Sequence, residues 1–126
     1  MKIKINVVDA FTSVRFKGNP AAVVITGKWL SNEKMQEIAA ENNLSETAFL
    51  VEDDTGVFTV RWFSPMTEID FCGHATLASA YVIFSENYQL SHISLFAESV
   101  GMMKIVKKDE GFIQMDFPNR MPHPVH

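Results

Sequence analysis

Phe71-Cys72-Gly73-His74-Ala75-Thr76-Leu77-Ala78-Ser79-Ala80-Tyr81-Val82-Ile83-Phe84 is the stretch around which the rest of the chain must arrange itself. From Ala75 to Phe84 it carries no charge, and its longest side chains fall on several faces of a helical wheel rather than in one stripe. Such a helix is stable only when it is buried nearly all round. It is too short to span a bilayer, and Ser85, Glu86 and Asn87 end it. The pattern therefore predicts a central helix wrapped by other elements, most simply by a curved sheet. Cys72, Gly73 and His74 stand at its N-terminus. The first N–H groups of a helix are free and the dipole adds partial positive charge, so this end binds anions and lowers thiol pKa values. Any chemistry is expected here.

The flanking sequence supplies the strands. Before the helix, Phe58, Val60 and Trp62 alternate with Thr59, Arg61 and Phe63 until Ser64-Pro65 ends the run. Thr47 to Val51 reads as a buried strand, separated from the first by a turn at Asp53-Asp54-Thr55-Gly56. Ser31 is a candidate N-cap for a surface helix with Glu33 in its first turn and Met35, Ile38 and Ala39 on one face, ending near Asn42-Asn43. Ala21 to Ile25 is a short apolar strand stopped by Gly27. Residues 2–8 alternate Ile3, Ile5 and Val7 against Lys2, Lys4 and Asn6, the pattern of a half-buried strand; Thr12 to Lys17 reads as a loop. After the helix, Ile93 with Leu95, Met103 with Ile105, and Ile113, Met115 and Phe117 mark three more strands, with turns at Gly101 and at Lys108 to Gly111. The expectation is α+β: about seven largely antiparallel strands wrapped around the central helix, plus one outer helix. Residues 1–118 form a single domain in this reading, and 119–126, with Pro122 and Pro124, form an extended tail or the remnant of a linker.

The chain has 126 residues, which favours one domain over two. A net charge of -4, with no basic run, argues against nucleic acid and acidic membranes as partners. Cys72 is the single cysteine, so an internal disulfide and a Cys-x-x-Cys zinc or redox site are excluded. His92, His123 and His126 are the other histidines beside His74, and the prolines around the last two disfavour a helical ligand pair, so no metal is expected. No glycine-rich phosphate loop or dinucleotide fingerprint occurs, so no cofactor is expected. Met1-Lys2-Ile3-Lys4 alternates instead of opening an apolar leader, and a reducing cytoplasm is the expected compartment.

Asn43-Leu44-Ser45-Glu46-Thr47-Ala48-Phe49 and Phe71-Cys72-Gly73-His74-Ala75-Thr76-Leu77 together resemble the PhzF-like phenazine-biosynthesis family. Asp9-Ala10-Phe11 followed by Gly18-Asn19-Pro20-Ala21-Ala22-Val23-Val24 looks like that family's opening. Arg61-Trp62-Phe63-Ser64-Pro65 with Glu68-Ile69-Asp70 looks like the approach to its Gly-His motif, and Met115-Asp116-Phe117-Pro118 like the end of its first lobe. The resemblance implies a diaminopimelate-epimerase-like fold, in which two similar lobes each wrap a barrel around a helix and share an active-site cleft. It also implies cofactor-independent isomerase or epimerase chemistry on a small carboxylate-bearing metabolite. Glu46 is then the general acid/base, and His74 holds or polarises the substrate. Gly73 and its neighbours offer N–H groups to a substrate carboxylate, and Asn19, Ser45, Cys72 and Asp70 complete the expected binding residues. The family's second lobe, which carries an aspartate and a Gly-Ser segment of the site, has no counterpart in this chain. A lone lobe exposes an apolar face, so a homodimer or a complementary second lobe is the expected partner. The alternative is a non-catalytic half-length binding or assembly module.

Each residue also has a plainer reading. Glu46 by itself is as readily a solvated loop carboxylate as a partly desolvated acid/base. Cys72 occupies the position where diaminopimelate epimerases carry a catalytic cysteine, but a lining residue or small buried hydrophobe suits a chain without a second thiol. His74 could be satisfied locally at the helix start. Asp70 could orient His74 or simply flank a solvated loop.

Overall fold

The protein is described by a computed structural model covering residues 4–10, 19–42, 46–87, 89–108 and 113–116. The loop expected at Thr12 to Lys17, the residues Asn43 and Ser45, the turn beyond Lys108, Phe117 and the proline-rich tail lie outside the described residues. In chain order the elements are β1 (Ile5–Ala10), β2 (Asn19–Thr26), α1 (Asn32–Asn42), β3 (Glu46–Glu52), β4 (Phe58–Phe63), β5 (Glu68–Ile69), α2 (Gly73–Glu86), β6 (His92–Ala97), β7 (Gly101–Lys107) and β8 (Ile113–Asp116).

The strands form one sheet in the order β1-β2-β3-β4-β6-β7-β8, with the short β5 beside β4. Pairing is antiparallel except for β2–β3 and β4–β6. Parallel neighbours need a crossover, and each of these two pairs has a helix in its connection: α1 for β2–β3, and α2 for β4–β6. The two crossovers step the same way across the sheet, but β4 runs opposite to β2. Since such crossovers are right-handed, α1 and α2 must lie on opposite faces. The packing agrees. Ala21, Val23, Ala48, Leu50, Val60 and Trp62 join the core around α2. Val24, Phe49 and Phe63 join Met35 and Ala39 of α1 in a second core. Covered on both faces, Ala21–Val24 is an unbroken apolar run with every residue buried.

Helix α1 begins as its sequence predicts. Ser31 Oγ accepts the Lys34 N–H at 3.0 Å, and Met35 and Ala39 are buried. Helix α2 extends beyond the uncharged run, from Gly73 to Glu86, and the Asn87 N–H closes it on the Ile83 carbonyl at 3.0 Å. Ala75, Thr76, Ala78, Ser79, Ala80, Val82, Ile83 and Phe84 are buried. Burial is not complete all round. Leu77 is half-buried and Tyr81 is 57% exposed, so a stripe of the helix remains uncovered.

That stripe reflects a difference from the expected barrel: the pairing path among the described residues is open, with β1 and β8 at its ends. The reason is geometric. Strands about 4.8 Å apart and tilted by about 40° each take up roughly 6 Å of circumference, and a sheet about 10 Å from a helix axis has a circumference of roughly 60 Å. Closure then takes about ten strands, whereas the path has seven. Tyr81, Phe84, Ser85, Lys107 and Ile113 line a groove on this side, with Lys107 Nζ 5.4 Å from the centre of the Phe84 ring. Strand β1 also differs from expectation. The register pairs Ile5 with Val24 and Val7 with Ala22, so Ile5 and Val7 point to the α1 face. Helix α1 packs chiefly on β3 and β4, and the Ile5 and Val7 side chains stay exposed. No helix among the described residues is long and apolar enough to cross a membrane.

Candidate active site

Three chain segments meet at the N-terminus of α2. Cys72 precedes the helix in an extended conformation, with φ -146° and ψ 107°. Strand β3 starts at Glu46, beside Ala21 of β2. The bend that leads into α2 is fixed at several points. Arg61 grips Glu68 through two hydrogen bonds of 2.8 Å, and its guanidinium lies 5.6 Å from the ring centres of Trp29 and Phe63. This contact holds β5 on β4. Ser99 Oγ donates to the Asp70 carbonyl at 2.6 Å. Phe71 packs edge-on against Trp62, with ring centres 5.3 Å apart. Trp62 Nε1 donates to Thr76 Oγ1 at 3.0 Å, and the same hydroxyl donates to the Cys72 carbonyl at 2.8 Å.

On this frame Glu46, Cys72 and His74 come together. His74 Nε2 lies 3.1 Å from Glu46 Oε1, and the two side chains are only 19% and 23% exposed. Cys72 Sγ is 3.5 Å from His74 Nδ1 and 3.8 Å from Nε2. Burial pushes the Cys72 thiol up, and the adjacent Glu46 carboxylate adds to this; the Ala75 and His74 N–H groups act the other way and are outweighed. The helix-start position therefore does not lower this thiol's pKa as the sequence suggests, because low exposure and a neighbouring acid count for more than the dipole. The arrangement is a carboxylate and an imidazole 3.1 Å apart, partly shielded from water, with a protonated thiol beside them. Such a pair can hand a proton to and from a molecule placed against it.

The remaining expected site residues are placed less closely. Gly73 opens α2, and a methyl group there would meet only the Phe71 ring at 3.7 Å, an ordinary contact. The space around it does not require glycine. Asn19 opens β2, two residues before the position alongside Glu46, and so lies at the same end of the sheet. Asp70 is exposed at the bend, engaged through its carbonyl. Ser45 lies outside the described residues. The sequence reading missed Thr76 as the link between Trp62 and Cys72; the hint was a threonine four residues after Cys72 in an otherwise small and apolar helix start. It also missed the Arg61–Glu68 clasp, which no local periodicity reveals.

A family model described as phenazine biosynthesis-like protein, PhzC-PhzF, matches residues 8–125. An uncharacterized isomerase of Pseudomonas aeruginosa is 46% identical over 124 residues, which is 98% of this chain and 47% of that protein. An uncharacterized isomerase of Halalkalibacterium halodurans is 46% identical over 127 residues, 97% of this chain and 46% of that protein. Among solved structures, a phenazine biosynthesis protein of the PhzF family from Enterococcus faecalis superimposes with a TM-score of 0.77 at 48% identity, covering 87% of this chain and 42% of that one. The chain thus spans about half the length of the curated relatives it matches.

Proposed function

The chain belongs to the PhzC-PhzF, phenazine biosynthesis-like family, and on that premise we propose that it contributes to an isomerase that moves a proton on a small carboxylate-bearing metabolite without a cofactor. The observation that carries this reading is the Glu46–His74 pair, 3.1 Å apart at the start of a buried helix. Glu46 acts as the general acid/base: its carboxylate takes a proton from a carbon next to the substrate's carboxylate and returns it at another position. His74 orients Glu46 and polarises the substrate. The N-terminus of α2 at Gly73 receives the substrate carboxylate, whose negative charge the helix dipole favours. Asn19, Ser45, Cys72 and Asp70 are the further substrate contacts in this proposal.

Because the relatives are longer, a homodimer or a complementary lobe supplies the facing wall of the cleft. The raised pKa of the buried Cys72 thiol favours Glu46 over Cys72 as the base, and an unpaired thiol suits a reducing, cytosolic setting. A second reading is a lobe that binds ligand or partner without turnover, since the chain spans about half of its relatives. Deuterium incorporation from heavy water into a panel of small carboxylic acids, followed by NMR, separates the two. Proton transfer predicts exchange that Glu46→Gln abolishes. Exchange that survives Glu46→Gln overturns the role of Glu46, and ligand binding without any exchange favours the binding module.

A further inference from the structure

We infer that Glu46, Cys72 and His74 form a chelating site for a thiophilic divalent cation of the zinc class, one that occupies the same side chains as the proposed proton transfer and excludes it. Among the described residues, this is a group whose carboxylate oxygen, thiol sulfur and imidazole nitrogen all lie within 4.8 Å of one another. The separations fit a common metal. Zinc bonds of about 2.3 Å to sulfur and about 2.0 Å to nitrogen or oxygen, at tetrahedral angles, put sulfur about 3.5 Å from nitrogen and nitrogen about 3.3 Å from oxygen. Through Nε2, the observed spacings are 3.8 Å from Cys72 Sγ to His74 and 3.1 Å from His74 to Glu46 Oε1. Small rotations of the two partly exposed side chains therefore bring all three donors onto one ion.

The frame is already built. The Thr76 hydroxyl holds the Cys72 carbonyl, and β3 fixes the backbone of Glu46. Three protein donors leave a fourth position for water or a carboxylate, as in open zinc sites rather than closed structural ones. A thiolate donor selects against magnesium and calcium, which prefer all-oxygen shells. On binding, the Cys72 S–H bond gives way to a metal–sulfur bond and the proton leaves to solvent. None of this depends on the proton-transfer reading, since it requires only the donor geometry.

The test is metal binding without substrate, measured on the full chain carrying His123→Gln and His126→Gln so that the tail histidines cannot chelate. Zinc is titrated by calorimetry, and cobalt(II) serves as the spectroscopic stand-in. The expected result is one equivalent of metal with a thiolate-to-cobalt charge-transfer band. Replacing a group that merely orients a ligand weakens binding about 10- to 100-fold, so Cys72→Ser should abolish the band and weaken zinc by more than about 100-fold. Glu46→Gln should weaken zinc at least about tenfold, and His92→Ala should leave it unchanged. If Cys72→Ser does not fold, protection of the unmodified thiol decides instead: zinc, but not magnesium, should block alkylation of Cys72. A cobalt complex without the thiolate band, or alkylation at the same rate with and without zinc, overturns the site. Because substrate is absent, neither outcome bears on proton transfer by Glu46.

Discussion

Thr76 carries a hydroxyl inside an apolar core and uses it twice, accepting from Trp62 Nε1 at 3.0 Å and donating to the Cys72 carbonyl at 2.8 Å. Thr76→Val keeps the shape but leaves the indole N–H without its acceptor. An unmet buried polar group costs about 1–3 kcal/mol, so urea unfolding should show a loss of that size, and Thr76→Ser should recover most of it. A loss below about 0.5 kcal/mol would mean that the indole finds another partner. Cys72 yields a prediction in pH. Its folded pKa is raised above the ordinary 9.0 by burial and by Glu46. The folded state therefore holds the thiol proton more tightly than the unfolded chain does. The stability linked to this proton is fully present below the ordinary thiol range and is lost as pH rises through the folded value. Alkylation of native Cys72 by iodoacetamide should follow the same titration, with a midpoint above that of the urea-unfolded chain; a lower midpoint would show the helix dipole prevailing over burial. Glu46 and His74 were candidates in the sequence because each lies in a motif that resembles the family's, and the structure places the two side chains 3.1 Å apart. Thr76 was not a candidate, since its meaning depends on Trp62, fourteen positions away, folding back onto it.

The two helices illustrate what single segments can and cannot reveal. Helix α1 was readable from Ser31, Glu33 and the Met35, Ile38, Ala39 face, and α2 from its lack of charge. Their placement on opposite faces follows only once the pairing order is known, because it depends on β4 running against β2. Strand β5 was invisible to pattern reading: two residues show no periodicity, and they sit on β4 through the Arg61–Glu68 clasp. Barrel closure was likewise beyond local patterns, since it depends on counting strands against the girth of the helix inside. The second core rests on one side chain more than any other. Met35 is fully buried among Val24, Phe49 and Phe63. Met35→Ala should cost about 2–5 kcal/mol in a denaturant titration, the range for large-to-small changes in a packed core. Because α1 covers the face away from the candidate site, the Glu46–His74 pair should keep its geometry in the variant wherever the fold survives. Zinc affinity should then be unchanged under conditions where both proteins are folded. A loss of affinity in folded Met35→Ala would mean that the α1 face and the site are coupled through β3.

The open sheet leaves apolar surface uncovered on the scale of the whole molecule. The exposed stripe of α2 at Tyr81, the edge residues Ile5 and Val7, and the cross-strand pair of Phe96 and Met102 all face outward. One of these surfaces leads to the candidate site. Tyr81 follows His74 by seven residues, two turns along the same face of α2, so a subunit seated on that stripe would reach toward the Glu46–His74 pair. The Ile5 and Val7 surface lies on the α1 face and leads away from the site. If a second copy supplies the missing wall, the stripe is the surface it should cover, and light scattering should give twice the 14.2 kDa of one chain. Tyr81→Lys places a charge in that contact and should return the protein to single-chain mass while leaving the fold intact by circular dichroism. A dimer that persists in Tyr81→Lys would locate the contact elsewhere, and pairing at the β1 edge would leave each Glu46 without a facing wall. A single-chain mass without any substitution would assign the wall to a complementary lobe, consistent with relatives of about twice this span. Proton exchange by this chain alone should then be absent and should appear only when that lobe is added.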